Sequence, residues 1–100
     1  MAAEPGATMR LDRFLWFARI VKTRPFAHAL AGSGHFRIDG RAVDRPATPV
    51  RVGNVLTFAD HRGRVRTLRI EALPARRGPA AEARACYADL ANVSQDAPGD

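Results

Sequence analysis

The apolar residues of this chain change their spacing at Gly34, and this change limits the fold more than any other feature of the sequence. Before it, the segment "AHALA" carries apolar residues at the i, i+3, i+4 spacing of one helix face. After it, Phe36 and Ile38 alternate with polar residues, as in a half-buried β-strand. The sequence therefore predicts an α+β fold in which a helix packs on a sheet.

Two helices are predicted ahead of the sheet. The first is "LDRFLWFARIV", with Asp12 as its N-cap and apolar residues on more than one side, so it should be mostly buried. Thr23 is expected to cap the second helix. Pro25 is tolerated in its first turn, because the N–H groups there have no partner within the helix. Gly34 is expected to end this helix in the left-handed conformation.

Turn residues divide the rest of the chain into strands. Asp39-Gly40 is typical of a type I′ turn, whose central residues both need positive φ. Gly53-Asn54 and "DHRG" predict two further turns, and "RVRTLRIEAL" predicts a strand. We expect a small, mostly antiparallel sheet whose apolar face meets both helices. The residues predicted to share one core are Leu15, Leu30, Ile38 and Leu56.

The ends of the chain differ from this central part in composition. Residues 79–90 are predicted to form a C-terminal helix, because a proline opens them and an apolar stripe follows. Residues 1–9 are expected to be a flexible leader and residues 92–100 a disordered tail. A compact module at 10–58 would then be followed by a basic strand extension and the helix at 59–91.

The positive charge is concentrated in the first three quarters of the chain. The net charge is +6, and residues 10–51 carry nine basic and three acidic side chains. Residues 78–100 carry one basic and four acidic side chains. A basic domain with an acidic tail favours a nucleic-acid partner, although an anionic membrane surface would also suit it. All cations except Lys22 are arginines, which fits bidentate phosphate contacts, but a general bias towards arginine explains this choice equally well.

Several other functions lack their residues. Cys86 is the only cysteine, which excludes an intramolecular disulfide and indicates a reducing compartment. His28, His35 and His61 lack the spacing of metal ligands, so no metal and no cofactor are expected. Ser33 near His35 does not form a nucleophile elbow, and no other catalytic constellation is present. No apolar run reaches membrane-spanning length, so no membrane contact is expected. Together with the preceding observations, this predicts a cytoplasmic, non-enzymatic protein.

One long stretch resembles a known family. "RLDRFLWFARIVKTRPFAHALAGSGHFRIDGRAV…PVRVGNVLTF" resembles the S4 RNA-binding domain, also called the alpha-L motif, in its Arg-Leu-Asp opening, its Thr-Arg helix entrance and its strand ending in a turn glycine. This similarity covers residues 10–58. The continuation "RTLRIEALPARRGPAAEARACY" resembles the heat shock protein 15 family and extends the match to about residue 90. Two positions depart from the family pattern: Asp39 stands where Asn is usual, and Asn54 stands where Asp is usual.

The resemblance implies an S4-type fold and a function on the ribosome. Members of that family bind ribosomal RNA on the large subunit and are linked to stalled subunits that still carry nascent chain and transfer RNA. It therefore implies ribosomal RNA, the large subunit and transfer RNA as partners, and a role in the heat-shock stress response. We also expect a monomer. The Asp39 carboxylate would be repelled by phosphate if it faced RNA.

The residues support a phosphate-binding surface beside this resemblance. A helix N-terminus presents N–H groups and partial positive charge, so the entrance of the second helix can hold a phosphate. The candidate RNA-binding residues there, at the opening of the first helix and on the outward face of the hairpin are Arg10, Arg13, Lys22, Thr23, Arg24, His28, Arg37 and Arg41. Arg64, Arg66, Arg76 and Arg77 form a candidate secondary set. Duplex DNA or an acidic protein could occupy the same basic surface, and these alternatives stay open.

Overall fold

The structure is a computed structural model that describes residues 6–60 and 62–90. In chain order its elements are β1 (Met9–Arg10), α1 (Leu11–Phe17), α2 (Arg24–Ala31), β2 (Phe36–Ile38), β3 (Arg41–Val43), β4 (Pro49–Val50), β5 (Val55–Ala59), β6 (Val65–Ile70), α3 (Ala80–Arg84) and β7 (Tyr87–Asp89). Strands β3, β2, β5, β6 and β7 form one antiparallel sheet in that order, and β1 pairs with β4 in a separate ribbon. The predicted α+β class is confirmed.

Helix α2 begins where the sequence predicts, but it ends at Ala31 with Gly32 as its C-cap, two residues ahead of the predicted stop at Gly34. The Thr23 hydroxyl accepts a hydrogen bond from the Phe26 N–H at 3.2 Å, which is the expected N-cap. After the last turn, the Ser33 hydroxyl donates to the Leu30 carbonyl at 2.9 Å, and Gly34 has a φ of 85°. The left-handed glycine therefore separates helix from strand, as its position in the sequence indicates.

Helix α1 differs from the prediction at both ends. Asp12 lies in the first turn and is not the N-cap, because the first N–H groups of α1 are satisfied by backbone. The N–H of Leu11 donates to the Thr48 carbonyl at 2.9 Å, and the N–H of Asp12 donates to the Pro46 carbonyl at 3.0 Å. The helix stops at Phe17, well before residue 21. A loop distant in sequence thus replaces the side-chain cap.

The core lies between the two helices and one face of the sheet. Leu15 and Leu56 are fully buried, Ile38 is 9% exposed, and Leu30 packs against them from α2, so the predicted core is confirmed. The type I′ turn between β2 and β3 is confirmed by positive φ values at both of its central residues. These contacts fix α2 against the β2–β3 hairpin.

The C-terminal helix is shorter than predicted. It covers Ala80–Arg84, and the prediction of helix beyond it is wrong, because Tyr87–Asp89 forms β7. Strand β7 pairs with the edge of β6, with Tyr87 opposite Ile70. An unpaired strand edge offers hydrogen-bond partners that a local apolar stripe does not reveal.

The residues after 58 complete the sheet and are not a separate layer. Strand β6 pairs with β5 along its length, and Leu68 and Ile70 join the same core as the helices. At the other end, Met9 lies in β1, so the flexible leader predicted for 1–9 is too long. The remaining predictions for the leader, for His61 and for the tail at 92–100 fall on residues 1–5, 61 and 91–100, outside the described residues.

Candidate nucleic-acid interface

A cleft of about 350 Å³ opens where the N-terminal ends of α1 and α2 meet. We call it the helix-entrance cleft, and it is lined by Arg10, Asp12, Arg13, Arg24, Pro25 and His28. Four of the eight predicted contact residues therefore lie together, although they come from two helices. Lys22 and Thr23 precede α2 and are exposed beside the cleft. The placement of these residues makes the cleft strongly basic.

Asp12 organises one side of the cleft. Its carboxylate accepts hydrogen bonds from Arg10 Nε at 3.0 Å and Arg10 Nη2 at 2.9 Å, and His28 Nδ1 lies 3.3 Å from it. Burial alone would raise the pKa of Asp12, but the hydrogen bonds from Arg10 and His28 outweigh it and hold the pKa below its ordinary value. Arg10 is thus paired with a carboxylate, which lowers its attraction for a phosphate.

Arg13 and Arg24 are the cations best placed to meet a phosphate in the cleft. Arg13 is exposed, and no side-chain partner is found for it among residues 6–60 and 62–90. The Arg24 guanidinium lies over the Trp16 ring, with Cζ 5.4 Å from the ring centroid. A cation held by a ring keeps its N–H donors available to an anion. The cleft therefore offers two arginines that no carboxylate of residues 6–60 and 62–90 neutralises.

The backbone contributes less at the α2 entrance than the sequence suggests. Pro25 has no N–H, and the N–H groups of Phe26 and Ala27 donate to the Thr23 hydroxyl and carbonyl. Within the described part of the chain, only the Arg24 N–H remains without a partner in this first turn. Side chains must therefore supply most of the anion binding.

Arg37 and Arg41 lie on opposite faces of the hairpin, so the prediction that they share its outward face is wrong. The two-residue turn pairs Ile38 with Arg41 and Arg37 with Ala42, and directly paired residues share a face. Arg37 therefore points away from the helices, where its guanidinium donates to the Gly40 carbonyl at 3.1 Å. The two-residue length of the turn fixes this pairing and therefore places the two arginines on opposite faces.

Arg41 instead lines a second groove, of about 470 Å³, beside the β1–β4 ribbon. Thr8 and Arg51 line the same groove, which brings a second exposed arginine next to Arg41. Sequence reasoning missed Arg51. The sequence feature that could have identified Arg51 is its position as the last cation of the basic stretch at residues 10–51.

Asp39 also lines the second groove, and its carboxylate is hydrogen-bonded within the chain. Its Oδ2 accepts from Asn54 Nδ2 at 2.8 Å, and its Oδ1 accepts from the Val55 N–H at 2.8 Å. Both carboxylate oxygens are therefore used in fixing the turn that precedes β5. The two positions that depart from the family pattern contact each other.

The secondary set is largely committed to contacts within the chain. Arg66 Nη2 lies 3.0 Å from an Asp89 carboxylate oxygen. Arg76 pairs with Glu82 at 3.1 Å, and the Arg77 guanidinium donates to backbone carbonyls of the α1–α2 connection. Arg64 is exposed, and its side chain has no partner among the residues that the structure describes. Arg64 is therefore the member of this set most available to a ligand.

Residues 6–60 and 62–90 contain neither a metal-binding cluster nor a membrane-spanning helix. No group of three His, Cys, Asp or Glu side chains is arranged to hold a metal ion in this part of the chain. None of the helices described there combines the length and the apolar character needed to cross a membrane.

Cys86 is buried, and burial, followed by the charge of Glu82, raises the pKa of its thiol.

Comparison with known proteins gives consistent matches. The family model described as the S4 domain matches residues 9–56. Heat shock protein 15 of Escherichia coli strain K12 is 32% identical over 91 residues, which cover 91% of this chain and 67% of that protein. Small ribosomal subunit protein uS4 of Desulfitobacterium hafniense strain DSM 10664 / DCB-2 is 45% identical over 47 residues, 47% of this chain and 23% of that protein.

A solved structure matches almost the whole chain. It is described as a trimeric structure of Vibrio cholerae heat shock protein 15, and it superposes with a TM-score of 0.77. The two sequences are 30% identical, and the match covers 90% of this chain and 89% of the other. The likeness therefore extends well beyond residues 9–56, which the S4 domain match covers.

Proposed function

The chain belongs to the heat shock protein 15 family of S4-domain proteins, and on that premise we propose that it is a non-enzymatic protein that binds ribosomal RNA on the large ribosomal subunit. The observation that carries this proposal is the helix-entrance cleft, where Arg13 and Arg24 stand exposed and form no ion pair with a carboxylate in the part of the chain that the structure describes. Structured RNA is recognised mainly through its shape and its backbone. Exposed arginines grouped on a rigid pair of helices suit such a ligand.

The surface proposed for RNA extends from the cleft across the β1–β4 ribbon to the second groove. Arg10 belongs to the cleft while its partner in the ribbon, Pro49, belongs to the groove, so the ribbon is the ridge between the two depressions. Arg41 and Arg51 would then meet the backbone on the far side of this ridge. Lys22 would meet it beside the α2 entrance.

The cellular role follows from the family. We propose that the protein acts in the cytoplasm, in the recycling or rescue of stalled large subunits that carry nascent chain and transfer RNA. Transfer RNA is then a second candidate ligand beside ribosomal RNA.

A trimer replaces the monomer as the proposed assembly. The relative described as trimeric matches 90% of this chain, so the elements that build its subunits are also present here. Sedimentation equilibrium would distinguish a 10.9 kDa monomer from an assembly three times as heavy. A single species at the monomer mass over the micromolar range would contradict the trimer.

The proposed RNA site is tested by comparing two arginine variants of equal charge. Arg24→Ala removes a cation from the cleft, whereas Arg84→Ala removes an exposed cation from α3, on the acidic part of the chain. Filter binding to large-subunit ribosomal RNA across a salt series gives affinity and salt slope. Arg24→Ala should weaken binding and flatten the slope by about one unit, while Arg84→Ala should change neither.

Circular dichroism of both variants controls for folding in this experiment. Equal losses from the two substitutions would mean that net charge alone drives binding. Competition by duplex DNA as effective as that by ribosomal RNA would favour a DNA-binding module. Binding to ribosomes that survives ribonuclease treatment would favour an acidic protein as the partner.

A further inference from the structure

Arg77 reaches from the segment after β6 into the connection between α1 and α2. Its Nη1 donates to the carbonyl oxygen of Trp16 and, at 3.4 Å, to that of Val21. Burial, followed by the charge of Arg19, lowers the pKa of Arg77, yet a guanidinium stays protonated in proteins. The last carbonyls of a helix lack partners within it and carry partial negative charge. Arg77 therefore satisfies the C-terminal end of α1 from a position 61 residues away in sequence.

A second contact joins the same two segments in the opposite direction. Arg19 Nε donates to the carbonyl oxygen of Gly78 at 2.6 Å, and Gly78 is buried. Arg19 itself has a φ of 57°, a conformation that non-glycine residues adopt only where their surroundings hold them in it. The two contacts thus fix the α1–α2 connection, which leads directly into the α2 entrance.

The Trp16 ring links this connection to the RNA-facing side chains. Arg77 Cζ lies 5.2 Å from the ring centroid, and Arg24 Cζ lies 5.4 Å from the same centroid. Both distances are in the range of cation–π attraction. Trp16 is half-buried and packs against the core, so the ring is held between the protein interior and the cleft. The guanidinium from the C-terminal segment and the one in the cleft therefore share a single ring.

We propose that Arg77 is a positioning residue of the RNA site. It holds the α1–α2 connection and the Trp16 ring, and through them it sets the place of Arg24, without contacting RNA itself. This differs from the sequence prediction that Arg77 extends the RNA surface. The inference rests on the proposed function, since it concerns the site at which RNA would bind.

The test uses Arg77→Lys in the full chain, because this variant keeps the net charge. A lysine ammonium lacks the planar guanidinium that lies over the Trp16 ring. We expect affinity for large-subunit ribosomal RNA to fall about 5- to 30-fold, with the salt slope flattened by no more than the roughly one unit that Arg24→Ala itself removes. When Arg77→Lys is combined with Arg24→Ala, the affinity for RNA should fall no further than in Arg24→Ala alone, because the side chain that Arg77 positions is absent.

Arg77→Ala and the matched control Arg84→Ala complete the set, with circular dichroism at each salt concentration. If Arg77→Ala unfolds the protein, the charge-conserving lysine variant alone carries the test. Wild-type affinity in Arg77→Lys would overturn the proposal. A salt slope flattened by about one unit in Arg77→Ala, additive with Arg24→Ala, would overturn it in favour of direct phosphate contact. Failure of the proposed function is distinguishable, because Arg24→Ala would then bind RNA as the wild type does.

Discussion

Asp39 and Asn54, the two positions that depart from the family pattern, compensate for each other through a hydrogen bond. The Asn54 side chain donates to Asp39 and accepts from the Arg51 N–H at 2.8 Å, so its two ends have fixed roles. In the family pattern the amide and the carboxylate stand at the opposite positions. This chain has exchanged both, which preserves one donor and one acceptor in contact.

The exchange predicts a compensating pair of substitutions. Asp39→Asn alone should lower the free energy of unfolding by about 0.5–1.5 kcal/mol, because two amides then face each other and one acceptor is lost. Adding Asn54→Asp should recover most of this loss, since complementarity returns with the roles reversed. Urea titrations of both single variants and the double variant measure the coupling. Purely additive losses would show that the two side chains do not act together.

Asp12 predicts a pH dependence at the acid end. Burial would raise its pKa, but its contacts with Arg10 and His28 keep the pKa below its ordinary value of 3.8. Its contribution to stability is therefore complete above that value and is lost as the pH falls through the lower, folded-state pKa. Asp12→Asn should be less stable than wild type by about 1 kcal/mol near pH 6, and the difference should shrink towards pH 2.

Chemical denaturation at several pH values measures this difference. Asp44→Asn is the control, because Asp44 is exposed and no side-chain partner is found for it within the described ranges. A stability gap between wild type and Asp12→Asn that stays constant from about pH 6 to pH 2 would contradict the proposed role of its carboxylate.

Among the elements, β6 decides whether the S4-type part can stand alone. Leu68 is fully buried and Ile70 is 1% exposed, both against the helices. Leu68→Ala should lower the free energy of unfolding by about 2–5 kcal/mol. Val65→Ala, on the same strand but 56% exposed at that side chain, should change it little. Urea titration followed by circular dichroism compares the two.

The sequence predicts a compact module at residues 10–58. A chain ending at Phe58 would lack β6, however, and would expose the edge of β5 that pairs with β6 and the core residues that β6 covers. We expect the truncated chain to lack a cooperative unfolding transition. A sharp transition in that chain would show that residues 59–90 are dispensable for the fold.

The elements predicted correctly are those whose signals are local. The Thr23 cap, the left-handed Gly34 ahead of β2 and the Asp39-Gly40 turn each depend on residues within a few positions of one another. The errors involve partners distant in sequence. The Pro46 carbonyl replaces a cap on α1, and the edge of β6 turns the end of the predicted C-terminal helix into β7.

The same distinction applies to the candidate site. Arg24 and His28 lie one turn apart on α2, so helical periodicity was enough to place them together in the cleft. Arg37 and Arg41 were grouped wrongly, because their faces depend on the pairing register across the turn. The contact of Arg77 with the carbonyl of Trp16 could not be predicted, since no local pattern marks a guanidinium that folds back on a helix end.

For the whole molecule, the arrangement of charge predicts the salt dependence of binding. Of the 16 cations, many face carboxylates or carbonyls, and the exposed cations proposed to meet phosphate are Arg13, Lys22, Arg24, Arg41 and Arg51. At about 0.7–0.9 units per phosphate contact, the logarithm of affinity should fall with the logarithm of salt at a slope of about 3.5 to 4.5. Filter binding between low and physiological salt measures it. A slope near one would mean that most of this surface stays free of RNA.

The Arg77–Trp16 contact also sets an order of events during synthesis. A ribosome adds about 5–20 residues per second, so Arg77 joins the chain about 3 to 12 s after Trp16, from which it is separated by 61 positions. Until then the α1–α2 connection lacks the Arg77 guanidinium that holds it in place. Every residue of the S4 domain match has already been added by that time. A nascent copy on its own ribosome therefore carries the whole matched sequence before the helix entrance has its final support.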